Sequence, residues 1–423
     1  MAPTDDDRGL VHELASLFDQ VEADRHFVPQ ERLNLKDRTR TSVLPWKGQF
    51  TPELIDVLLG AYANAEAIVL DPFVGSGTTL IECGRTTRMA YGYDVNTAAA
   101  YSARTAELIN IPRHERERLF HDVAALLTEQ LEQFRQPDLF TWMHERQPGR
   151  DFASTVNSLF GTCHGARHVE TILMNVVMQA MGENGRGLDA DVLFSSFARY
   201  RNMCSNLPYS ASPLYAAQGD ARCVPLDNET IDLIITSPPY INVFNYHQNY
   251  RKALEFVGLA PLNAAPSEIG ANRKHRGNRL WTVIQYCLDM REALIEAHRV
   301  LRPASKMVMV VGRESTVLGH RFENGKALYC IAIGSAGFSL LRRHERAFTN
   351  RFGEHIFEEI FVLTKVSDVQ QRPASFAHAV GEYLLRQSLA HLSKVGEDDR
   401  RADVENALAQ VGKIKPSPYW LVT

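Results

Sequence analysis

Two hydrophobic patterns alternate along most of this chain. Short apolar runs bounded by turn residues are typical of buried parallel strands, and apolar residues spaced three or four apart are typical of helices that face a core. The apolar runs predict strands over residues 67–71, 89–94, 214–220, 232–236, 306–312, 338–346 and 358–365. Helical spacing predicts helices over residues 10–21, 52–62, 281–301, 324–337, 376–392 and 401–411, with another beginning near residue 78. The alternation favours an α/β fold with a mostly parallel sheet that ends in an antiparallel pair.

Residues 109–212 break this alternation, because their apolar residues keep only helical spacing. About 100 residues is far longer than an ordinary connection between a helix and a strand, so we expect a helical insertion. The pattern therefore predicts an N-terminal arm, two parts of one α/β domain separated by the insertion, and a helical tail. Their predicted bounds are 1–41, 42–108, 109–212, 213–366 and 367–423.

Composition narrows the function classes only a little. The chain has 423 residues, 45% hydrophobic and 23% charged, with a net charge of −4, so a nucleic-acid partner would need a local basic patch. Its six cysteines are scattered without a paired or clustered spacing, which argues against structural zinc and a disulfide framework. The sequence shows no leader and no run as long as a membrane span, so we expect a cytoplasmic protein that binds neither a membrane nor a metal.

One predicted strand ends in an unusual way. The apolar run at 232–236 stops in Ser237, Pro238, Pro239 and Tyr240. Prolines end the ladder because they lack an N–H, and the first restrains its predecessor to extended geometry. In an open α/β sheet, ligands bind at the carboxyl ends of the strands. The sequence predicts a rigid polar ledge there, and a stiff turn with a half-buried tyrosine is the alternative.

A glycine loop follows the first predicted strand, in the sequence Asp71-Pro-Phe-Val-Gly-Ser-Gly-Thr78. Glycines let a backbone approach a ligand closely, and the following helix offers unpaired N–H groups to an anion. The loop lacks the Gly-Lys pair of a nucleotide-hydrolysing P-loop, and a plain tight turn is the alternative. Asp94 and Asp220 end later strands, and an acid about 20 residues after such a loop binds ribose hydroxyls in dinucleotide-type folds.

Basic and aromatic residues follow the ledge. Tyr246 and Arg251 belong to an aromatic run, and a loop flanked by glycines carries Arg273, Lys274, His275, Arg276 and Arg279. These residues are the best candidates for contacts with the phosphates of a nucleic acid, with a solvated charge run as the alternative.

The loop at 71–78 and the ledge Thr236-Ser-Pro-Pro-Tyr240 together resemble the S-adenosylmethionine-dependent DNA amino-methyltransferases, which modify cytosine N4 or adenine N6. The resemblance covers residues 42–106 and 213–365 and implies a Rossmann-like methyltransferase sheet. It implies that S-adenosylmethionine is held by Phe50, Asp71, Pro72, Phe73, Gly75, Gly77, Thr78, Asp94 and Asp220. It also implies that Ser237, Pro238, Pro239 and Tyr240 form the catalytic ledge, on which a flipped base meets the methyl donor.

Serine in the first ledge position resembles the cytosine-N4 enzymes more than the adenine ones, so we expect a site-specific N4-cytosine methyltransferase. The implied partners are double-stranded DNA with a specific recognition sequence, a cognate restriction endonuclease and a second copy of the chain. The insertion and the loop at 258–280 are the candidate target-recognition segments. An N6-adenine enzyme, an RNA base methyltransferase and a non-catalytic cofactor-binding regulator remain alternatives.

Overall fold

A computed structural model describes residues 2–35, 45–46, 48–135, 151–183, 185–241, 245–271, 275, 277–349, 353, 355–367, 370–395 and 401–420. Its strands are β1 (Val69–Asp71), β2 (Ala90–Asp94), β3 (Leu214–Gln218), β4 (Ile231–Thr236), β5 (Leu301–Gly312), β6 (Glu314–Val317), β7 (His320–Glu323), β8 (Phe338–Thr349) and β9 (His355–Lys365). Its helices are α1 (Asp5–Gln20), α2 (Gln30–Leu33), α3 (Pro52–Tyr62), α4 (Thr78–Arg85), α5 (Thr97–Ala103), α6 (Arg113–Leu131), α7 (Phe152–Thr162), α8 (Arg167–Met181), α9 (Ala190–Ser205), α10 (Arg251–Phe256), α11 (Trp281–Val300), α12 (Asn324–Ser335), α13 (Ala374–Val395) and α14 (Arg401–Gln410).

Seven of these strands form one sheet in the order β3-β2-β1-β4-β5-β9-β8. Strands β1 to β5 pair in parallel, while β9 runs antiparallel to both β5 and β8. The predicted α/β fold, with a mostly parallel Rossmann-like sheet and an antiparallel pair at one edge, is therefore confirmed. A hairpin of β6 and β7 lies outside this sheet and was not predicted.

The central strands bury side chains on both faces, which explains why they are continuous apolar runs rather than alternating ones. In β1, Val69 enters the core on one face and Leu70 the core on the other, and Leu233 and Ile234 of β4 divide in the same way. The first core includes side chains of α3 and of α6 to α9, so the helices between residues 109 and 212 pack against the sheet. The second core includes side chains of α1, α11, α12 and α13.

The order of the strands positions the site. The chain reverses direction across the sheet between β1 and β4, since β2 and β3 lie on one side of β1 while β4 and β5 lie on the other. A crevice forms outside the carboxyl ends of the strands at such a switch point. The glycine loop follows β1 and the ledge follows β4, so both border this crevice. None of the described helices is long and apolar enough to cross a membrane.

Candidate active site

A cleft of about 890 Å³, a figure that includes its open mouth, lies at this switch point. It brings together most of the predicted site residues from four strand ends. The predicted residues in its wall are Phe50, Pro72, Phe73, Gly75, Thr78, Asp94, Asp220, Ser237, Pro238, Pro239, Tyr240 and Tyr246. Asp71 and Gly77 are not part of this wall, although both belong to the predicted cofactor loop.

Asp71 is buried behind the loop, where it links three elements. Its carboxylate accepts hydrogen bonds from the Thr236 hydroxyl at 2.6 Å, the Thr79 hydroxyl at 2.6 Å and the Phe73 amide at 3.1 Å. Burial raises its pKa to about 6 even though these three donors oppose the shift. Asp71 thus ties the end of β4 and the start of α4 to the loop. Its predicted contact with the cofactor remains a prediction.

Gly77 shapes the loop through its backbone. It has a φ of +86°, and a Cβ at this position would lie 2.7 Å from the Cα of Ala103. Both the left-handed conformation and the close approach exclude a larger residue. Gly77 therefore allows α4 to begin close against α5, with its first residue, Thr78, in the cleft wall.

Thr78 gives the cleft an unsatisfied polar group. Its side-chain oxygen is buried and has no hydrogen-bond partner among the described residues. It lies at the first turn of α4, where backbone N–H groups are also unpaired and where the helix dipole favours negative charge. A buried hydroxyl without a partner costs free energy, so this end of the cleft fits a ligand with a carboxylate. The carboxylate of an amino acid group, such as the methionine portion of S-adenosylmethionine, has this chemistry.

Asp94 is the acid in the middle of the cleft. Its carboxylate accepts the Gly75 amide at 3.1 Å and the Asn96 amide at 2.9 Å, which fixes its orientation. Burial raises its pKa to about 7, and the negative charge of Glu268 adds to the rise. An acceptor of this kind suits the two hydroxyls of a ribose.

Asp220 is buried in the cleft wall, and its oxygens already accept four hydrogen bonds. Three come from Arg222, through its amide at 3.0 Å, Nε at 2.9 Å and Nη2 at 2.7 Å. The fourth comes from the amide of Trp420 at 2.9 Å. A ligand amine would have to share the carboxylate with these donors, and the predicted contact of Asp220 with the cofactor remains a prediction.

The ledge is held firmly at the end of β4. Pro238 is buried, and Ser237, Pro239 and Tyr240 are half-buried. The Tyr240 ring packs against Gly312 so closely that a Cβ on Gly312 would lie 2.9 Å from it. Burial raises the pKa of the Tyr240 phenol, which therefore stays protonated at neutral pH.

A second cavity lies beside the cleft. It encloses about 400 Å³, including its open mouth, and shares the wall of Gly48, Gln49, Phe50 and Ser237 with the cleft. Ser237 borders both spaces. A group bound in one space and a group bound in the other would thus meet at the ledge.

Several wall residues were missed from the sequence. The Trp46 ring stacks on Tyr250 with 6.2 Å between ring centroids and packs against Gly75. Glu268 is buried, and one of its oxygens lies 2.8 Å from Nδ1 of His247. Glu268 lies in a loop without a local pattern, but Trp46 lies only two residues before the segment 48–50, and that proximity was a usable sign.

The predicted DNA-contact residues separate in the structure. Tyr246 belongs to the cleft wall, and Arg251 begins α10 and pairs with Glu255 at 2.6 Å. His275 lies 3.2 Å from the Gln285 side chain, and Arg279 is half-buried. Arg273, Lys274 and Arg276 lie outside the described residues. Contact of these residues with DNA remains a prediction.

Comparison with known proteins gives a family match over a part of the chain that includes the glycine loop. A family described as DNA methylase matches residues 23–105. A type II methyltransferase, M.MjaII of Methanocaldococcus jannaschii, is 38% identical over 66 residues, which span 15% of this chain and 12% of that protein. The aligned part is thus a small fraction of that relative's length, and the description of the matched family, together with the cleft, indicates S-adenosylmethionine as the cofactor.

Solved structures give a fainter likeness. A SAM-dependent methyltransferase of Methanosarcina mazei is 10% identical with a TM-score of 0.34, covering 73% of this chain and 97% of that one. The rRNA methyltransferase AviRa of Streptomyces viridochromogenes is 13% identical with a TM-score of 0.32, covering 85% of this chain and 100% of that one. At TM-scores this low, the likeness carries no argument about substrate or mechanism.

Proposed function

We propose that this protein transfers a methyl group from S-adenosylmethionine to the exocyclic N4 amine of a cytosine flipped out of double-stranded DNA. The observation that carries the proposal is the position of Ser237 in the wall that the cleft and the second cavity share. Methyl transfer needs a donor and an acceptor in two adjoining spaces that meet at one point.

The cleft supplies three kinds of contact for the cofactor. The unpartnered Thr78 hydroxyl and the start of α4 suit its carboxylate, Asp94 suits its ribose, and Phe73 and Pro72 offer apolar surface. When bound, S-adenosylmethionine supplies an electrophilic methyl group on a sulfonium sulfur. The described residues contain no group of three or more side chains that could hold a metal ion.

The ledge activates the acceptor amine. An exocyclic amine is a poor nucleophile because its lone pair is delocalised into the ring. The Ser237 hydroxyl and the Pro238 carbonyl can each accept a hydrogen bond from one amine hydrogen, which favours the pyramidal geometry in which the lone pair is free. When the amine gains the methyl group and the bond from that methyl group to sulfur breaks, one of these two hydrogens leaves as a proton to solvent. Because two prolines and the packing of Tyr240 hold these acceptors in place, they need little reorganisation during the reaction.

DNA is favoured as the substrate by the description of the matched family, DNA methylase. Cytosine is favoured over adenine by the serine at the first position of the ledge, as the resemblance implies. Flipping brings a base out of the duplex into such a cavity. A specific recognition sequence, a restriction partner and a homodimer belong to the same proposal.

Methylome sequencing of a host that expresses this chain tests the proposal, with Ser237→Ala as the inactive control. We expect N4-methylcytosine at one short sequence with the wild-type chain and none with Ser237→Ala. Cofactor binding by both purified proteins, measured by calorimetry, should agree within about twofold because Ser237 acts on the acceptor. Full methylation by a Ser237→Ala protein that still binds cofactor would contradict the proposed role of the ledge.

A further inference from the structure

The second cavity has the lining of a site for a flat polar ring. Two aromatic side chains, a buried ion pair and two hydroxyls contribute to it. The lining residues with these groups are Phe50, Thr51, Ser237, Arg346, Phe348 and Glu358. A flipped base is recognised by stacking on aromatic side chains and by hydrogen bonds to its Watson–Crick edge, which is the combination found here.

The ion pair connects the cavity to the ledge. Arg346 of β8 is 4% exposed, and its Nη1 lies 3.4 Å from the Glu358 carboxylate of β9. The other oxygen of Glu358 lies 3.5 Å from the Tyr240 hydroxyl. Residues 346 and 358 face each other in the β8–β9 register, so the sheet itself fixes their separation. A planar guanidinium is therefore held at a set position relative to Ser237 and Pro238.

The guanidinium is also aligned with an aromatic ring. The Cζ of Arg346 lies 4.6 Å from the centroid of Phe348. Arginine stacked in this way presents its N–H groups in the plane of the fork, where they can meet the edge of a neighbouring ring. Phe50 belongs to the segment that lines both the cavity and the cleft.

Thr51 adds an observation that points to a ligand. Thr51 occupies the N-cap position of α3, where a threonine hydroxyl commonly accepts a backbone N–H, but its side chain makes no capping hydrogen bond. Its hydroxyl oxygen is instead buried, with no hydrogen-bond partner among the described residues. A buried hydroxyl left in this state favours a polar group from outside the chain.

We infer that the second cavity receives the flipped base and that Arg346, oriented by Glu358, donates a hydrogen bond to the ring nitrogen next to the exocyclic amine. The inference rests on the proposed function and adds the residue that selects the base. In cytosine and in adenine this ring nitrogen is an acceptor, whereas thymine and guanine carry an N–H at the same place. A guanidinium, which has donors and no acceptor, thus favours amino bases and rejects keto bases.

The same contact orients the base. The acceptor nitrogen is bonded to the ring carbon that carries the amine. A donor that binds this nitrogen therefore also fixes the direction in which the amine points. With its ring nitrogen on Arg346, the base would direct its amine toward the Ser237 hydroxyl and the Pro238 carbonyl. Glu358 acts through Arg346 and is a positioning residue in this scheme.

A chemical double-mutant cycle tests the contact. The substrate is the recognition duplex that methylome sequencing defines, with either the natural target base or its 3-deaza analogue, in which the acceptor nitrogen of cytosine is replaced by C–H. If adenine is the modified base, the 1-deaza analogue takes this place. We expect Arg346→Met to slow single-turnover methylation of the natural base roughly 100-fold, the loss expected for one specific base contact. The methylation rate of the wild-type protein should fall by about the same factor when the analogue replaces the natural base. The rate of Arg346→Met should fall little further on the analogue, because the substitution and the analogue remove the same interaction.

The controls separate recognition from folding. Arg342→Met, on the same strand but paired with Asp24 outside the cavity, should stay within about twofold of the wild type. Arg346→Lys should recover part of the loss, since it keeps the charge and a donor. The double variant Arg346→Met/Glu358→Gln avoids an unpaired buried carboxylate and should show the same defect on the natural base. Calorimetric cofactor affinity should be unchanged in all four proteins.

Two failures can be told apart. If the wild-type chain yields no methylated nucleoside, the proposed function falls and this inference falls with it. If the wild type methylates DNA but Arg346→Met is equally active, only the role of Arg346 is overturned. The same holds if the activation free energies lost through the variant and through the analogue add up when the two are combined.

Discussion

Asp94 and Asp220 look alike in the sequence and differ in the structure. Asp94 is the last residue of β2, Asp220 lies two residues after the end of the neighbouring parallel strand β3, and both border the same cleft. Asp94 accepts hydrogen bonds from two backbone amides, and burial raises its pKa to about 7. Asp220 accepts four hydrogen bonds, three of them from Arg222. The position at a strand end is thus shared, but Asp94 accepts from backbone amides whereas Asp220 is already paired with a buried cation.

Arg222 explains the difference. It has no exposed side-chain surface and pairs with Asp220 and with Asp289 of α11. It also donates to the backbone carbonyls of Ser417 and Pro418, both at 2.7 Å. The cluster therefore fastens the C-terminal segment 417–420 to the wall of the cleft. This segment lies outside the part of the chain that the resemblance covers.

Among the substitutions that distinguish the surroundings of Asp94 from those of Asp220, a replacement of Arg222 should have the largest effect on stability. Arg222→Leu leaves the carboxylates of Asp220 and Asp289 buried without their cation, so we expect the free energy of unfolding to fall by about 3–5 kcal/mol. Asp94→Asn should lower it by only about 1–2 kcal/mol, because the asparagine oxygen keeps one of the two amide hydrogen bonds and only the other amide loses its acceptor. Urea unfolding of both variants measures this, and equal losses would mean that the two environments do not differ as described.

Asp94→Asn should instead weaken cofactor binding. Losing a charged acceptor for the ribose hydroxyls should raise the Kd for S-adenosylmethionine about 10- to 100-fold, since hydrogen bonds to charged groups contribute about 1.5–3 kcal/mol. Calorimetric titration of the folded variant measures the change. Binding as tight as that of the wild type would show that Asp94 does not hold the ribose.

Cofactor binding should also depend on pH through Asp94. Its pKa is raised from 3.8 to about 7, so the ionised acceptor is depleted below neutrality and the Kd should rise as pH falls through about 7. In the ligand-free protein, the pH dependence of the unfolding free energy has the opposite sign. The protonated carboxyl stabilises the fold fully below about pH 4, and this contribution is lost as pH rises through about 7. Titrations between pH 6 and pH 8 check the binding, and Asp94→Asn should flatten the dependence.

The smallest effect is expected at Ser417, which helps to hold the C-terminal segment 417–420 against α11. The Ser417 amide donates to Asp289 at 2.6 Å, and its hydroxyl donates to the other oxygen. Ser417→Ala removes the hydroxyl and keeps the amide, so we expect a loss of about 1 kcal/mol in unfolding free energy and no change in cofactor affinity. Ser339→Ala on β8, where the serine is exposed, is the matched control and should change neither. A loss of cofactor affinity in Ser417→Ala alone would instead show that the segment 417–420 contributes to cofactor binding.

The sequence was most informative where a local pattern carries the chemistry. The strands, the glycine loop with Gly75 and Thr78, and the ledge all follow from apolar runs and from what glycine and proline permit. Asp71 shows the limit of this reasoning, because an acid at a strand end can bind a ligand or link strands, and only the packing around Thr236 and Thr79 distinguishes the two.

Contacts between distant parts of the chain could not be predicted. Arg222 and the carbonyl of Ser417 are 195 residues apart in the sequence. The pairing of Arg346 with Glu358 depends on the β8–β9 register, which the apolar pattern alone does not fix. Thr51 has the sequence of a helix cap, yet its hydroxyl faces no capping partner because the chain before α3 belongs to the wall of two cavities.

The central claim is that the cleft and the second cavity bind a methyl donor and an amino base that meet at Ser237. The most direct test incubates the purified chain with S-adenosylmethionine carrying a labelled methyl group and with unmethylated DNA, and then analyses the digested nucleosides by mass spectrometry. We predict labelled N4-methyldeoxycytidine with the wild-type chain and none with Ser237→Ala. Label in another nucleoside would contradict the assignment of the base, and equal label with Ser237→Ala would contradict the claim itself.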